Sequence, residues 1–365
     1  MVVALSTVPS SHLSAILATA GAPKWRARQL RDAVWQPWLR NIDEIRQLPA
    51  SLRAALADEV DFITAAIATE SEADEGMTVK LLCRLNDGQT VETVAMESPE
   101  RQRRRRRATI CVSSQVGCAV GCPFCATGRL GLLRNCTAAE IVDQVRLGAQ
   151  AFHRRGLGPV THIVYMGMGE PLANLDATIA SVSHLAKDAG ISPRRITVST
   201  SGVVPGIDRL AADAPPVTLA ISLHAATDEL RNRLVPLNKA HPLGELISAA
   251  QRFISATGRR ISFEWCLIGG VNDSVEQADK LADLARRLNA HVNVIPMNLI
   301  EGSSWGPPRP EQTRAFLNRL RTVAMTVRDT RGGDTDAACG QLRAALPQRR
   351  ELRSNGTLGP PRNPV

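Results

Sequence analysis

Alternating strand and helix patterns predict an α/β fold for most of the chain, built as a partial (β/α)6 barrel. From residue 108 to residue 342, apolar runs typical of buried strands alternate with segments of helical periodicity. Repeated β–α units give a parallel sheet with right-handed crossovers, and six of them indicate an open barrel. Two segments precede it: residues 1–75 have helical periodicity, and residues 76–107 contain a hairpin pattern and a basic loop. Residues 343–365 are polar and rich in Pro and Gly, so we expect a disordered tail.

The N-terminal segment, residues 1–75, is predicted to be a small helical domain. Ser11 and Ser14 open an apolar-periodic run, and Pro49 is well placed in the first turn of a later helix. The arginines of this segment give it a basic face, which is either an ordinary solvated surface or an RNA-docking surface. They are Arg26, Arg28, Arg31 and Arg40.

Two strand patterns surround a turn sequence and predict a β-hairpin. Residues 78–85 and 89–96 alternate in period two on either side of Asn86-Asp-Gly88, which is a strong hairpin signal. On the second strand, Glu92 shares a face with Val94 and so can point towards an interior. A glutamate in a strand is, however, usually a solvent-facing edge residue.

A dense basic run, residues 101–107, follows the hairpin. Its like charges repel one another, so the run cannot fold on itself and we expect a mobile loop. It is either a solvated charge run or a loop that grips phosphate near the mouth of an active site, because Cys111 follows closely.

The barrel segment has recognisable helix starts and strand ends. Thr137 and Glu140 form a capping-box pattern before one helix. Active sites of barrels lie at the C-terminal strand ends, so we expect residues 166–170, Ser199, residues 222–224 and Asn298 to share one rim. The predicted strands cover residues 109–113, 161–166, 195–199, 217–223, 260–268, 291–297 and 326–330, and further predicted helices cover residues 175–189, 243–257, 275–289 and 311–325.

Three cysteines, Cys118, Cys122 and Cys125, lie within eight residues in the spacing C-x3-C-x2-C, among glycines and a proline. Thiolates this close along the chain can converge on one soft metal centre. Three ligands leave one iron of a four-iron cluster with an open coordination site for a substrate or cofactor. Structural zinc normally needs four protein ligands in two pairs, and buried thiols without metal are the remaining alternative.

The overall composition limits the classes of protein to which this chain can belong. A formal net charge of +9 favours an acidic partner such as nucleic acid. The eight cysteines do not form a secreted disulfide framework, because the chain is long and they cluster in a metal-like spacing. The sequence has neither a basic leader before a long apolar run nor a stretch of about 18 apolar residues, so we expect no membrane span. A reducing cytoplasm fits these features.

The cysteine loop and three other motifs are typical of one enzyme family. The loop has an aromatic residue before its last cysteine, Phe124-Cys125. The other motifs are Met166-Gly-Met-Gly-Glu-Pro171, Ser222-Leu-His224 and Asp336-Ala-Ala-Cys-Gly-Gln-Leu342. In this combination the chain resembles, from about Leu13 to Leu342, the radical S-adenosylmethionine (SAM) dual-specificity RNA adenine-C2 methyltransferases. The resemblance implies a radical SAM barrel and methylation of carbon-2 of an adenosine in 23S ribosomal RNA and in tRNAs.

The same resemblance implies cofactors, partners and residue roles. The cofactors would be a four-iron four-sulfur (4Fe-4S) cluster and two SAM molecules per turnover. The partners would be 23S rRNA, tRNA and an electron donor such as flavodoxin, and we expect a monomeric, cytoplasmic protein. The implied cluster ligands are Cys118, Cys122 and Cys125; the implied SAM contacts are Gly169, Glu170, Ser199, Ser222, Leu223, His224 and Asn298; the implied catalytic residues are Cys339, Cys111 and Glu92.

In the mechanism that the resemblance implies, one SAM molecule methylates Cys339. A radical from the second takes a hydrogen from that methyl group, whose carbon then adds to the adenine. Cys111 removes the ring proton and forms a transient disulfide with Cys339, which releases the product. Glu92 is the acid–base candidate.

Two alternatives remain open at this stage. One is carbon-8 methylation by the sister activity, which shares the cluster and the cysteine pair. The other is a non-catalytic, zinc-bearing RNA-binding protein. The remaining cysteines match no role, and we expect them to be ordinary structural thiols. They are Cys83, Cys136 and Cys266.

Overall fold

The computed structural model describes residues 3–98, 106–300, 303–328 and 340–343. Three predictions fall outside these described residues: the part of the basic run at 101–105, the methyl-carrying role of Cys339, and the tail after residue 343. The structure therefore leaves all three as predictions.

The first described residues form a small helical unit with its own apolar core. Leu13, Leu30 and Leu56, one on each of its three helices, are completely buried against one another's helices. Helical periodicity requires such a stripe on the face that packs inwards. The elements of this unit are β1 (Val3–Ala4), α1 (Ser10–Thr19), α2 (Arg26–Val34), α3 (Ala50–Glu59) and β2 (Val60–Asp61), and the two short strands pair in parallel.

Three antiparallel strands follow, β3 (Ala65–Ala73), β4 (Thr78–Leu85) and β5 (Thr90–Ser98). The predicted hairpin is confirmed: β4 and β5 pair in antiparallel register, and Gly88 supplies the positive φ of +85° that the turn needs. The expectation that the helical domain runs to residue 75 is wrong in its last part. Residues of β3 form the edge strand of the sheet because they pair with β4, a partner that their own local sequence does not reveal.

After β5 the described elements alternate between strand and helix. They are β6 (Arg107–Cys111), β7 (Gln115–Gly117), α4 (Ala126–Leu130), β8 (Leu132–Asn135), α5 (Ala138–Arg154), β9 (His162–Tyr165), α6 (Leu175–Lys187), β10 (Ile196–Thr200), α7 (Val204–Asp213), β11 (Thr218–Ser222), α8 (Asp228–Leu234), α9 (Leu243–Thr257), β12 (Ser262–Leu267), α10 (Val275–Leu288), β13 (His291–Pro296), α11 (Pro310–Arg319) and β14 (Met325–Val327).

These elements confirm the predicted partial (β/α)6 barrel. One ten-stranded sheet has the order β14-β13-β12-β11-β10-β9-β6-β5-β4-β3, and all neighbours from β6 to β14 are parallel. Six helical crossovers connect these seven strands. The edge of β6 pairs with β5, so the barrel stays open and the antiparallel strands extend its sheet.

Helices α7 and α8 were not predicted. The start of α7, Val204-Pro205-Gly206, looks like a loop, yet proline fits the first helical turn and Gly206 allows close packing on Leu172. A Cβ at Gly206 would lie 2.8 Å from the Leu172 Cβ. Within the part of the chain that the structure describes, every helix is too short or too polar to cross a membrane.

Helix α5 joins the helical unit to the barrel. Its predicted capping box is present, with the Thr137 side chain and the Glu140 side chain each accepting from the other's backbone N–H. The buried Arg146 guanidinium donates to the carbonyl oxygens of Val34 (2.9 Å) and Phe62 (2.5 Å) and to Asp143 Oδ1 (2.8 Å). Because Val34 and Phe62 belong to the helical unit, their contacts with Arg146 fix its position on the barrel.

Candidate active site

The C-terminal ends of the parallel strands surround an open cavity of about 1130 Å³. This is the rim at which barrel folds carry their sites. Most of the residues that the sequence predicted for this rim line the cavity. They are Cys118, Cys122, Cys125, Gly169, Glu170, Ser199, Ser222, His224 and Asn298. Leu223 is completely buried in the core instead, next to two residues that do line the cavity.

The cysteine loop lies between β7 and β8 and depends on close backbone approach. Gly117 has a φ of +82°, and a Cβ there would lie 1.9 Å from the carbonyl oxygen of Gly131. The next residue, Cys118, donates its N–H to that same oxygen at 2.8 Å. Gly128 has a similar role, since its Cβ would lie 2.9 Å from the backbone of Cys122. Glycine at these positions lets the loop curl so that its three cysteines line one cavity.

Without a metal, the thiols of this loop lose their protons only at high pH. Burial above all, with the negative charges of Glu170 and Cys125 acting in the same direction, raises the pKa of Cys118 to about 12. Burial also raises the pKa of Cys122 well above its usual value, and Cys125 and Cys118 add to this. Burial raises the pKa of Cys125 as well. Iron in the loop would supply the positive charge that stabilises the thiolates.

The donor set fits a thiolate-ligated iron–sulfur cluster. Three thiols converge on one cavity wall, and soft thiolates are the ligands that such clusters use. Among the described residues, no three His, Cys, Asp or Glu side chains form a preformed ion site. Ligand geometry of this kind is completed when the metal binds, because metal binding and local folding are coupled.

Glu170 is a buried carboxylate held in place by backbone donors. Its Oε1 accepts from Leu172 N at 3.1 Å and its Oε2 from Ser201 N at 2.6 Å. Burial raises its pKa despite these hydrogen bonds. A carboxylate has about four lone-pair sites, so Glu170 can still accept from a ligand ammonium group at the cavity wall.

The glycine before it, Gly169, is required by close packing. It has a φ of +99°, and a Cβ there would lie 2.6 Å from the Cβ of Gln115. The Gln115 side chain in turn accepts from the Glu170 N–H at 2.9 Å. Gly169 and Glu170 are therefore held in place by Gln115 of β7, the strand that leads into the cysteine loop.

His224 links the cofactor rim to the cysteine loop. Its φ of +58° is unusual for a residue other than glycine. Its Nδ1 accepts from Cys266 N at 2.9 Å, which leaves the ring proton on Nε2. Burial, with a smaller contribution from the positive charge of Arg231, lowers its pKa to about 3, so the ring is neutral at physiological pH. The ring packs edge-on against Phe124, with centroids 4.8 Å apart.

Arg231 is an important residue that the sequence did not identify. Its side chain is completely buried under the rim and donates to the carbonyl oxygens of Ser201 (2.5 Å), Leu223 (3.1 Å) and Ser222 (3.2 Å). It also donates to Asn238 Oδ1 at 2.7 Å. Burial lowers its pKa to about 10. An arginine in a charged helix such as α8 normally faces solvent, so only burial reveals its role.

Two other predicted cofactor residues lie on a barrel strand or directly after one. Ser199 donates its hydroxyl to the carbonyl oxygen of Tyr165 at 2.6 Å, across the β9–β10 pair. Asn298 follows β13, which lies three strands away from β10 in the sheet, and it also lines the cavity. The rim thus contains polar side chains from strands that are not neighbours in the sheet.

Glu92 and Cys111 lie outside the lining of the cavity. Glu92 is buried, and its carboxylate contacts Lys80 Nζ at 3.2 Å and accepts from Arg343 N at 2.7 Å. Cys111 is buried at the end of β6, in register with Val94 and Val164. The interior position expected for Glu92 is therefore present.

The short described segment 340–343 lies against the cysteine loop. Gly340 O accepts from Ala126 N at 2.7 Å, and Leu342 O accepts from Thr127 Oγ1 at 2.5 Å. Gly340 and Leu342 both line the cavity. The chain directly after Cys339 thus forms part of the same site as the cluster loop, although the two segments are far apart in sequence.

Two further cavity residues were missed on β12. Glu264 and Cys266 line the cavity, although Cys266 was expected to be only a structural thiol. A period-two pattern could have found them, because Ser262, Glu264 and Cys266 alternate with large apolar residues. Cys83 and Cys136, by contrast, are buried in the core as expected.

Comparison with known proteins gives consistent matches. Residues 112–285 match the family model of the radical SAM superfamily. The chain is 47% identical, over 94% of its length and 92% of the relative's, to the probable dual-specificity RNA methyltransferase RlmN of Parafrankia sp. (strain EAN1pec). It is 43% identical, over 99% of its length and 93% of the relative's, to the dual-specificity RNA methyltransferase RlmN of Anaeromyxobacter sp. (strain Fw109-5). The crystal structure of a radical SAM methyltransferase from Sphaerobacter thermophilus superposes with a TM-score of 0.88 and 46% identity, covering 94% of this chain and 99% of that one.

Proposed function

Since the chain belongs to the RlmN family of radical SAM dual-specificity RNA methyltransferases, we propose that it methylates carbon-2 of an adenosine in 23S rRNA and in tRNAs. Family membership implies a 4Fe-4S cluster and SAM as cofactors. Carbon-2 of adenine is not nucleophilic, so direct transfer from a sulfonium would meet a high barrier. When bound, the cluster and SAM supply radical chemistry that avoids this barrier.

The observation that carries the proposal is the shared cavity. Three loop thiols, the buried Glu170 carboxylate and the polar rim residues line one space beside Gly340. Cys118, Cys122 and Cys125 would hold the cluster. Glu170 would accept from the amino group of SAM, and the remaining rim residues would orient the cofactor. These are Gly169, Ser199, Ser222, His224 and Asn298, together with the buried Leu223 between Ser222 and His224.

A pair of cysteines would carry the methyl group and release the product. Cys339 would be methylated by one SAM molecule, and a second would be used for the radical step. Cys111 would then remove the ring proton and pass it on, and its thiolate would attack the Cys339 sulfur. The new S–S bond would replace the bond between that sulfur and the methylene carbon, which would take up a proton and leave as the methyl group of the base. Two observations support this arrangement: Gly340, the residue after Cys339, accepts from Ala126 N of the cluster loop, and Cys111 ends β6, shortly before that loop begins.

Glu92 would act as an acid–base group beside this pair. Its carboxylate is buried, faces Lys80 and accepts from the backbone of Arg343, four residues after Cys339. The contact connects the second hairpin strand with the segment that follows the methyl-carrying cysteine. A buried carboxylate with fixed partners is well suited to hold or accept a proton at one position.

RNA binding is supported by charge and by the chemistry of the target. The formal charge of +9 favours a polyanion, and the helical unit carries Arg26, Arg28, Arg31 and Arg40 as its docking face. To reach carbon-2, the base must leave its stack, at a cost of a few kcal/mol. Unstacked, looped RNA should therefore be preferred over duplex. We further propose a monomeric cytoplasmic enzyme that receives electrons from a donor such as flavodoxin.

An anaerobic assay tests the proposal. Protein purified without oxygen should contain iron and sulfide and should methylate RNA when given SAM and a reductant. Mass spectrometry of digested RNA should find 2-methyladenosine. Finding 8-methyladenosine would assign the sister activity instead, and colourless protein that holds zinc in the cysteine loop would refute the cluster.

A further inference from the structure

Two tryptophans of the helical unit lie exposed at the two ends of α2. Trp25 directly precedes the helix and is 59% exposed, and Trp38 follows it and is 56% exposed. Tryptophan is highly buried on average, as are Trp265 in the barrel and, in part, Trp35 between these two. Aromatic residues make up only 3% of the chain, so two large rings left on one small unit indicate an interaction site.

The charge around these rings indicates the kind of partner. Residues 24–40 contain five Lys or Arg residues and one acidic residue, Asp32. The side chains of Arg28 and Arg40 are 90% and 76% exposed. Their contacts with Asp32 (4.0 Å) and Glu44 (3.4 Å) are surface ion pairs, which are weak and leave both arginines able to meet a polyanion. Single-stranded nucleic acid combines negative charge with flat apolar rings, so it fits cations that alternate with tryptophans.

Trp25 is already half of a stacked pair. The guanidinium carbon of Arg26 lies 4.1 Å from the centroid of the Trp25 ring. Arg26 is held there because it also donates to the carbonyl oxygen of Gln47 at 2.8 Å. The arginine covers one face of the ring, and since more than half of Trp25 is exposed, the other face is open to a planar group. A base on that face would gain stacking energy from a ring whose orientation is fixed.

Trp38 is fixed from the barrel side. Its ring contacts His153 of α5, with centroids 5.8 Å apart, and His153 is itself exposed. From the same helix, Gln150 Nε2 donates to the carbonyl oxygen of Leu39 at 3.0 Å. The nine-residue helix α2, roughly 14 Å long, separates this ring from Trp25. The two rings therefore suit two different bases.

We propose that Trp25 and Trp38 each stack on an unpaired base of the RNA substrate, outside the cavity that would take the target base. The inference rests on the proposed action on RNA and names the class of RNA, one with further unpaired bases near the target. Bases inside a duplex are stacked on both sides and offer no free face. The neighbouring arginines bind phosphates and add affinity without reading bases.

Binding measurements on the anaerobically prepared, cluster-loaded enzyme test this without turnover. Fluorescence anisotropy would compare three labelled probes of equal length: an unstructured RNA of mixed sequence, the same chain with abasic ribose residues, and an RNA duplex. The proteins would be wild type, Trp25→Ala, Trp25→Phe, Trp38→Ala and Arg28→Ala. The matched apolar control is Val275→Ala, since Val275 is 50% exposed on α10. Iron content and the urea midpoint of each protein would establish that cluster and fold are retained.

The expected result is a loss that requires both the ring and the base. Trp25→Ala and Trp38→Ala should each bind the unstructured RNA about 5- to 100-fold more weakly, as base–aromatic stacking predicts. Trp25→Phe should stay close to wild type because it keeps a ring. With the abasic chain and the duplex, the tryptophan variants should differ from wild type by less than about twofold. Their salt dependence should be unchanged, whereas Arg28→Ala should reduce the slope of log K against log salt by about one. Val275→Ala should match wild type throughout.

Other outcomes would overturn the proposal in distinguishable ways. Wild-type affinity of either alanine variant for the unstructured RNA would remove that stacking contact and the two-base arrangement. A loss that persists with the abasic chain would show that the tryptophans only maintain the shape of the helical unit. A smaller salt slope in the tryptophan variants would assign their loss to phosphate contacts. Failure of wild type to bind any RNA would instead overturn the proposed function, and this inference with it.

Discussion

Replacing the buried Arg231 by methionine should destabilise the protein by about 3–5 kcal/mol. The guanidinium satisfies the carbonyl oxygens of Ser201, Ser222 and Leu223 together with the Asn238 side chain. Each acceptor left unsatisfied costs about 1–3 kcal/mol, and release of the cation from its buried site offsets part of the sum. The loss is therefore large compared with a typical substitution.

Urea denaturation of the purified protein measures this loss as a lower midpoint at unchanged slope. Arg231→Lys keeps the charge but not the fork of donors, so most of the loss should remain. The matched control is Arg233→Met, an exposed arginine on the same helix, which should stay within about 0.5 kcal/mol of wild type. If Arg231→Met cost less than about 1 kcal/mol, the rim would not depend on this network and the reasoning would be wrong.

Three further predictions concern the pH dependence, the cysteine loop and product release. The folded pKa of His224, about 3, lies below its ordinary value of 6.5, so the stability it contributes is present above pH 6.5 and is lost as the pH falls towards 3. Wild type should lose about 2 kcal/mol through this group between pH 7 and pH 5, and His224→Asn, which keeps an acceptor for Cys266 N and tolerates the positive φ, should not. Gly117→Ala should abolish iron binding, measured as iron per protein, because its Cβ would lie 1.9 Å from Gly131 O. Cys111→Ala should leave RNA covalently joined to the protein, seen as a slow band on a denaturing gel.

Each of these has a control and a contradicting result. Exposed His12→Asn should leave the pH dependence unchanged, and an equal slope for His224→Asn would contradict the assignment. Gly88→Ala has the same backbone strain with nothing within 4 Å, so normal iron content is expected there. A Gly117→Ala protein with full iron content would show that the loop adapts. Cys136→Ala should trap no RNA, and wild-type turnover by Cys111→Ala would refute the two-cysteine mechanism.

Local patterns in the sequence were sufficient for the fold class and the cluster loop. Asn86-Asp-Gly88 predicted the hairpin because the turn residues themselves set its φ values. Thr137 and Glu140 predicted the start of α5 because a capping box is formed within four residues. The spacing of Cys118, Cys122 and Cys125 indicated a metal loop because the three thiols lie within eight residues of the chain. In each case the interacting groups are close together along the chain.

Only the tertiary structure decided features whose partners are distant in sequence. The edge strand β3 exists because β4 pairs with it, and its own residues are compatible with a helical segment. Arg231 looks like a solvent-facing helical arginine until β10 and β11 enclose it. Glu264 and Cys266 can be recognised as cavity residues only once β12 lies between β11 and β13 in the sheet. Burial and hydrogen-bond completion depend on the whole fold, and a local pattern cannot encode them.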